Sequence, residues 1–262
     1  MSVILVEKRE KNAIVTLNRP ESYNALSYEA WKEITDAWIE LKNDPEVYTI
    51  ILTGSGDKAF CVGQDLKQMA RLKAEAEKVG RPFVSPLLEV TPTKYLEMPK
   101  PVIAAINGFA IGAGLELALA CDIRIAAEHA QLGLREVTQA IIPGAGGTQR
   151  LPRLIPFGLA LEILMTGDLV SDQEAYRIGL VNKVVPFAQL MPTTLALANR
   201  INENGPLAVR AAKEAAYKGI QMPLNEALRF ETLLLSKVRQ SEDAWEGPNA
   251  FAEKRKAIYK GK

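Results

Sequence analysis

The stretch INGFAIGAGLELALACD, residues 106 to 122, sets one carboxylate, Glu116, inside a run of uncharged residues that closes only at Asp122. An ionised carboxylate taken out of water without a partner costs several kcal/mol or takes up a proton, so the position needs a reason. The glycines before it supply part of one. A small-residue turn at residues 112–114 running into a helix leaves backbone N–H groups unpaired at the positive end of the helix dipole. Such an end suits an oxygen that becomes negative during a reaction. On its own, Glu116 reads first as a buried structural acid satisfied by hydrogen bonds.

A second acid changes that reading. LGLREVTQAIIPGAGGTQRL, residues 132 to 151, places Glu136 after a short apolar strand and before a Pro-Gly-rich loop, where site residues of α/β frameworks gather. Its bland alternative is an exposed loop glutamate paired with Arg135 or Arg150. Two acids converging on one substrate atom would serve proton transfer, provided the fold brings together positions twenty residues apart.

Working outward, SVILVEKRE and NAIVTLN read as paired strands. They lead to a turn at NRPESYNALS and an amphipathic helix from about Tyr28 to Leu41. YTIILTG is a buried strand. After it come a GSGD turn and KAFCVGQDLKQM, and then a charged stretch ending in prolines reads as a mobile excursion over residues 70 to 96. PVIAAIN is a strand, GAGLELALA a helix and DIRIAA a strand, an alternation that predicts a layered α/β core. SDQEAYRIGLVNKVV opens with the capping-box pair Ser171 and Glu174, so it starts a helix and ends in a strand. Beyond Pro186 the pattern turns helical, and a core region 1–190 is expected to pass into a helical region 191–262.

Composition excludes several chemistries. With 32 Lys and Arg against 31 Asp and Glu the formal charge is +1, and no block of like charge suggests a nucleic-acid partner. No apolar run reaches the length of a membrane span. The amino end lacks the pattern of a secretory signal, and the two cysteines, Cys61 and Cys121, suit a reducing compartment, so the cytoplasm is the expected location. The single histidine, His129, excludes a multi-histidine metal centre and reads as a turn residue. Neither GAGLEL nor GAGGTQ completes a dinucleotide fingerprint, and no phosphate loop is present.

Three segments in order, KAFCVGQDLKQM, PVIAAINGFAIGAGLELALACDIRIAA and GLREVTQAIIPGAGGTQRLPRLI, resemble the central motifs of the enoyl-CoA hydratase/isomerase, or crotonase, superfamily. The likeness runs from VTLNRPESYNAL near the start to FAEKRKAIYKGK at the end. It implies an α/β spiral of repeated ββα units and a helical carboxyl-terminal region that builds a homotrimer or a dimer of trimers. Coenzyme A thioesters are the implied substrates.

Carried over by motif, the family's oxyanion hole falls on the backbone N–H groups of Gln64 and Ala113, and its paired glutamates fall on Glu116 and Glu136. Typical members have glycine where Ala113 stands, and alanine is common where Gln64 stands. Alanine keeps the N–H, whereas Gln64 could also reach into the acyl pocket. The coenzyme A contacts would involve Ala25, Asp65, Leu66 and Lys67, with Phe251 and Lys254 reaching across from a neighbouring subunit; solvated surface charge is the alternative for either lysine. Phe83, Leu87 and Leu88 would line or cover the acyl pocket.

The implied reaction is reversible addition of water across the 2,3-double bond of a 2-enoyl-CoA, with no metal or redox cofactor. The rivals are a double-bond isomerase or a specialised cyclic or branched enoyl-CoA hydratase, and more remotely an RNA-binding member. The identity of the acyl group is not legible.

Overall fold

The computed structural model describes residues 2–82 and 98–262. Strands β1 (Ile4–Arg9) and β2 (Asn12–Leu17) form the antiparallel pair expected from their alternation, with Ile4 opposite Leu17 and Arg9 opposite Asn12. The turn through the 3-10 segment Pro20–Ser22 then delivers α1 (Tyr28–Asn43), whose first turn is capped by the Ser27 side chain accepting the Ala30 N–H. Ala30, Trp31, Ile34, Trp38 and Leu41 recur at helical spacing and are the face α1 buries.

From there the chain repeats one unit three times. β3 (Thr49–Gly54), β4 (Ala59–Cys61) and α2 (Leu66–Lys78) make the first; β5 (Val102–Ile106), β6 (Phe109–Ile111) and α3 (Ala113–Ala120) the second. The third is β7 (Ile123–Ala127) and β8 (Gln131–Gly133), followed by a 3-10 turn at Glu136–Gln139 and the helices α4 (Gly147–Leu154) and α5 (Phe157–Thr166). In each unit the first strand enters a large sheet and the second a small one. β9 (Val170–Ser171), α6 (Asp172–Arg177) and β10 (Lys183–Val185) close both sheets.

The large sheet runs β1-β2-β3-β5-β7-β10 and is parallel from β2 onward; the small one runs β4-β6-β8-β9, with only β9 antiparallel. Strand alternation splits the apolar residues of the large sheet between its faces. Ile50, Leu52, Val102, Ala104 and Ile106 join the main core with α1. Ile51, Ile103, Ala105 and Ile125 face the other way and are covered by Leu190 and Ala198 of α7 (Phe187–Asn202). That helix crosses residue 190, so the first helix past Pro186 packs directly on the sheet. Its hold is also polar: Asn199 Oδ1 accepts from Asn12 at 2.6 Å, and Asn202 Oδ1 accepts the Thr49 hydroxyl at 2.7 Å.

α8 (Pro206–Gly219), α9 (Leu224–Arg239) and α10 (Asp243–Ala252) complete the chain. Lys213 on α8 reaches back to Asp122 at 2.7 Å and to the Lys100 carbonyl at 2.8 Å. The last residues fold onto α10, where the Asp243 carboxylate accepts the Lys260 and Gly261 N–H groups at 2.7 Å each.

Two expectations meet a different outcome. The charged stretch after residue 70 is not all excursion: residues 66–78 form α2, capped by Asp65 and carrying the i,i+4 pairs Arg71–Glu75 and Lys73–Glu77 on a helix with no buried residue. Phe83, Leu87 and Leu88 lie outside the described residues. The capping box at Ser171 is half formed, since Ser171 Oγ accepts the Glu174 N–H at 3.2 Å while the Glu174 carboxylate pairs with Arg177. No helix among the described residues is long and apolar enough to cross a membrane.

Candidate active site

The three ββα units place their chemistry at the same point, the link between the small-sheet strand and the next element. Gln64 comes after β4, Ala113 and Glu116 after β6, and Glu136 after β8. Because β4, β6 and β8 are parallel neighbours, these links lie side by side at the carboxyl ends of the strands, where open α/β folds form their sites.

The first link is held against the segment before α1. Leu26 donates to the Gly63 carbonyl at 2.7 Å and accepts from the Asp65 N–H at 3.0 Å. In that parallel bridge Leu26 uses both of its own groups, so the Gln64 N–H between those partners is directed away from Leu26. A Cβ on Gly63 would lie 3.3 Å from Ala113 N, which sets the Gln64 and Ala113 peptides next to each other. Ala113 is the first residue of α3, and its N–H has no acceptor within the helix. Two peptide donors thus stand together at a helix amino end.

Gly112, which caps α3, has φ 57° and ψ −129°, a conformation essentially confined to glycine. Its bare Cα faces the second acid: a Cβ there would come within 3.1 Å of Glu136 Oε1. Glu136 opens the 3-10 turn, which ends on Ala140 in the left-handed region and is closed by the Ile141 N–H donating to the Glu136 carbonyl at 3.2 Å.

Glu116 is only 2% exposed. Its Oε1 accepts the Gly147 N–H at 2.7 Å and the Ala145 N–H at 2.8 Å, both from the Pro-Gly-rich loop and the start of α4. Burial raises its carboxyl above the ordinary range, and those two N–H groups and the charge of Arg150 oppose the rise. Glu136 has less opposition. Burial, reinforced by the nearby charge of Glu116 and only partly offset by its own N–H, pushes its carboxyl up to about 7. Its Oε2 is buried with no hydrogen-bond partner among the described residues. The exposed-loop reading of Glu136 therefore does not hold. Two carboxyl groups of different proton affinity flank a pair of peptide donors that have no acceptor among the described residues, an arrangement that can polarise a carbonyl and move protons beside it.

A model of the enoyl-CoA hydratase/isomerase family matches residues 7–262. The chain belongs to that family. It is 46% identical over 259 residues to the crotonyl-CoA hydratase of Syntrophomonas wolfei, covering 98% of this chain and 97% of that one. It is 43% identical over 255 residues to the short-chain-enoyl-CoA hydratase of Clostridium acetobutylicum, covering 97% and 95%. A crystal structure of an enoyl-CoA hydratase from Bacillus anthracis superposes with a TM-score of 0.92 at 45% identity, covering 99% of this chain and all of that one.

Of the residues the family likeness assigns to coenzyme A, four lie together. Ala25 is buried, and its carbonyl accepts Arg19 Nη1 at 2.7 Å. The Arg19 Nη2 reaches Asp65 at 2.9 Å. Burial alone would raise the Asp65 carboxyl; the Gln68 N–H and Arg19 outweigh it and hold the group low. Asp65 is thus a helix cap and an anchor, while Leu66 and Lys67 beside it are exposed. Phe251, 87% exposed, and Lys254 lie at the end of α10, and among the described residues neither makes a hydrogen bond or ion pair with that group.

Motif reading missed the Ala145 and Gly147 donors, because a backbone N–H carries no residue type. It also missed Arg19, although an arginine between two turn residues is a visible signal. His129 lies in a turn, its Nε2 2.6 Å from the Asp57 carbonyl oxygen and its ring edge-on to Phe187. Cys61 and Cys121 are buried free thiols pushed up to about 12 by burial, so neither is a nucleophile.

Proposed function

We infer that this chain is an enoyl-CoA hydratase, adding water reversibly across the 2,3-double bond of a 2-enoyl-CoA to give a 3-hydroxyacyl-CoA. The observation that carries the reading is the unlike pair Glu116 and Glu136 beside two peptide donors. The thioester carbonyl accepts hydrogen bonds from the Gln64 and Ala113 N–H groups, which draws electron density from the double bond and makes the β-carbon electrophilic. Glu116, anchored by two N–H groups that favour its ionised form, takes a proton from the attacking water. Glu136, pushed up to about 7, holds the proton that goes to the α-carbon. Dehydration runs through the same groups with their roles exchanged.

The nucleotide end of coenzyme A rests against Ala25, Asp65, Leu66 and Lys67, with Phe251 and Lys254 contributed by a neighbouring copy of the chain. The exposure of both residues in a single copy supports that assignment. No metal or redox group enters the mechanism, since the peptide donors supply the electrophilic assistance. An RNA-binding role has no support in α1, whose acids outnumber its bases.

The test is product analysis with paired substrates. Crotonyl-CoA is expected to give 3-hydroxybutyryl-CoA, with a rate unchanged by EDTA. Migration of the double bond in a 3-enoyl-CoA without hydration of crotonyl-CoA would establish the isomerase instead, and a rate abolished by EDTA and restored by one divalent ion would overturn the metal-free mechanism.

A further inference from the structure

We propose that Arg150 is a positioning residue for Glu116, folding back over Gly146 to fix the loop whose N–H groups hold the carboxylate. The inference rests on the hydratase reading for its effect on rate, but not for its geometry.

Arg150 stands in the first turn of α4, where the helix dipole disfavours a cation, so its retention there needs another interaction. The structure supplies one. Arg150 Nη1 donates to the Ala145 carbonyl at 3.1 Å, and the guanidinium lies so close over Gly146 that a Cβ on that residue would collide with Nη1. The φ of 112° requires glycine at Gly146, and a side chain there would also displace the guanidinium.

The peptide joining Gly146 to Gly147 is gripped at both ends. Its carbonyl accepts the Arg150 N–H at 2.8 Å and the Gln149 N–H at 3.1 Å, and its own N–H donates to Glu116 at 2.7 Å. Ala145 is held likewise, with its carbonyl on the Arg150 side chain and its N–H on Glu116 at 2.8 Å. Arg150 thus meets the Gly146–Gly147 peptide through its backbone N–H, and through its side chain the carbonyl of Ala145, the residue whose N–H is the second donor to the acid.

Its charge acts in the same direction. Among the described residues, the charge of Arg150 from α4 opposes the rise that burial imposes on Glu116, and the Glu116 charge in turn raises Glu136 on the 3-10 turn. Arg150 therefore adds to the two N–H groups in favouring the ionised form of Glu116.

The experiment compares Arg150→Met, Arg150→Lys and, as a control on the same helix, the exposed Arg153→Met. Folding is followed by circular dichroism and the Glu116 titration by NMR of carboxyl-labelled glutamate, assigned with Glu116→Gln. Arg150→Met is expected to raise the Glu116 midpoint, and to lower kcat on crotonyl-CoA by ~10²-fold with little change in KM. Arg150→Lys is expected to return the midpoint towards wild type while kcat stays reduced, because an ammonium does not reproduce the planar contact. Arg153→Met should change neither. A folded Arg150→Met protein with unchanged midpoint and kcat, and only a lower Tm, would overturn the proposal. If that variant does not fold, wild-type kcat in Arg150→Lys overturns it. Should the wild type fail to hydrate crotonyl-CoA while the midpoint still follows Arg150, the hydratase reading fails and the positioning role stands.

Discussion

Glu116 Oε1 accepts the Gly147 N–H at 2.7 Å across 31 residues of chain, which puts the buried acid at the amino end of α4 as well as in the first turn of its own helix α3. Two helix dipoles and two N–H donors therefore favour its ionised form against burial. Glu136 Oε2 has no such donor among the described residues, and its carboxyl is raised to about 7.

Replacing either acid with glutamine keeps its shape and removes its proton. Glu116→Gln and Glu136→Gln are each expected to lower kcat by ~10²–10⁴-fold with KM nearly unchanged. The double variant should lose far less than the product of the two, because the groups act as a unit. Steady-state kinetics on the three folded variants checks this. Near-wild-type turnover by Glu116→Gln would leave Glu116 a structural acid only.

Folding lifts the Glu136 carboxyl from 4.5 to about 7, so between those values the folded state binds more protons than the unfolded one. Stability contributed at this site therefore falls as pH rises through that window and stays lower above it. Glutamine does not ionise. Glu136→Gln should accordingly raise Tm at pH 8 and give no gain below pH 4.5, as measured by thermal melts across the range. Equal Tm differences at both ends would show that the carboxyl is not raised.

Gly112→Ala introduces a Cβ 3.1 Å from Glu136 Oε1 at a φ of 57°. The backbone strain is expected to cost about 1–3 kcal/mol of stability, and displacement of the acid to lower kcat by ~10²-fold. Denaturant melts and kinetics read the two effects separately. A variant with wild-type kcat would dissociate Gly112 from the geometry of Glu136.

Leu224, Leu228 and Leu235 recur along α9 and are exposed, as is Trp245 on α10. Such a surface is expected to be covered by further copies of the chain. Light scattering at micromolar concentration should give the mass of three or six chains. A monomer would contradict this and would leave Phe251 and Lys254 without a route to the nucleotide.

Local pattern determined the elements of this protein. Alternation in SVILVEKRE and NAIVTLN, the small-residue turn before Glu116 and the Ser171 cap each depend on neighbours a few residues apart, and each appears in the structure where the residues place it. The helix at residues 66–78 was hidden inside a charged stretch because it buries no residue fully; its signals are a cap, charge pairs and the half-buried Met69, Leu72 and Ala76 at helical spacing. Tertiary structure alone decided which groups meet. The donors to Glu116 are peptide N–H groups of Ala145 and Gly147, identical in every residue but proline, and only the stacking of β4, β6 and β8 brings the three links together. The proton affinity of Glu136 was undecided for the same reason: a carboxyl's charge state follows its surroundings, and those are assembled from segments far apart in the chain.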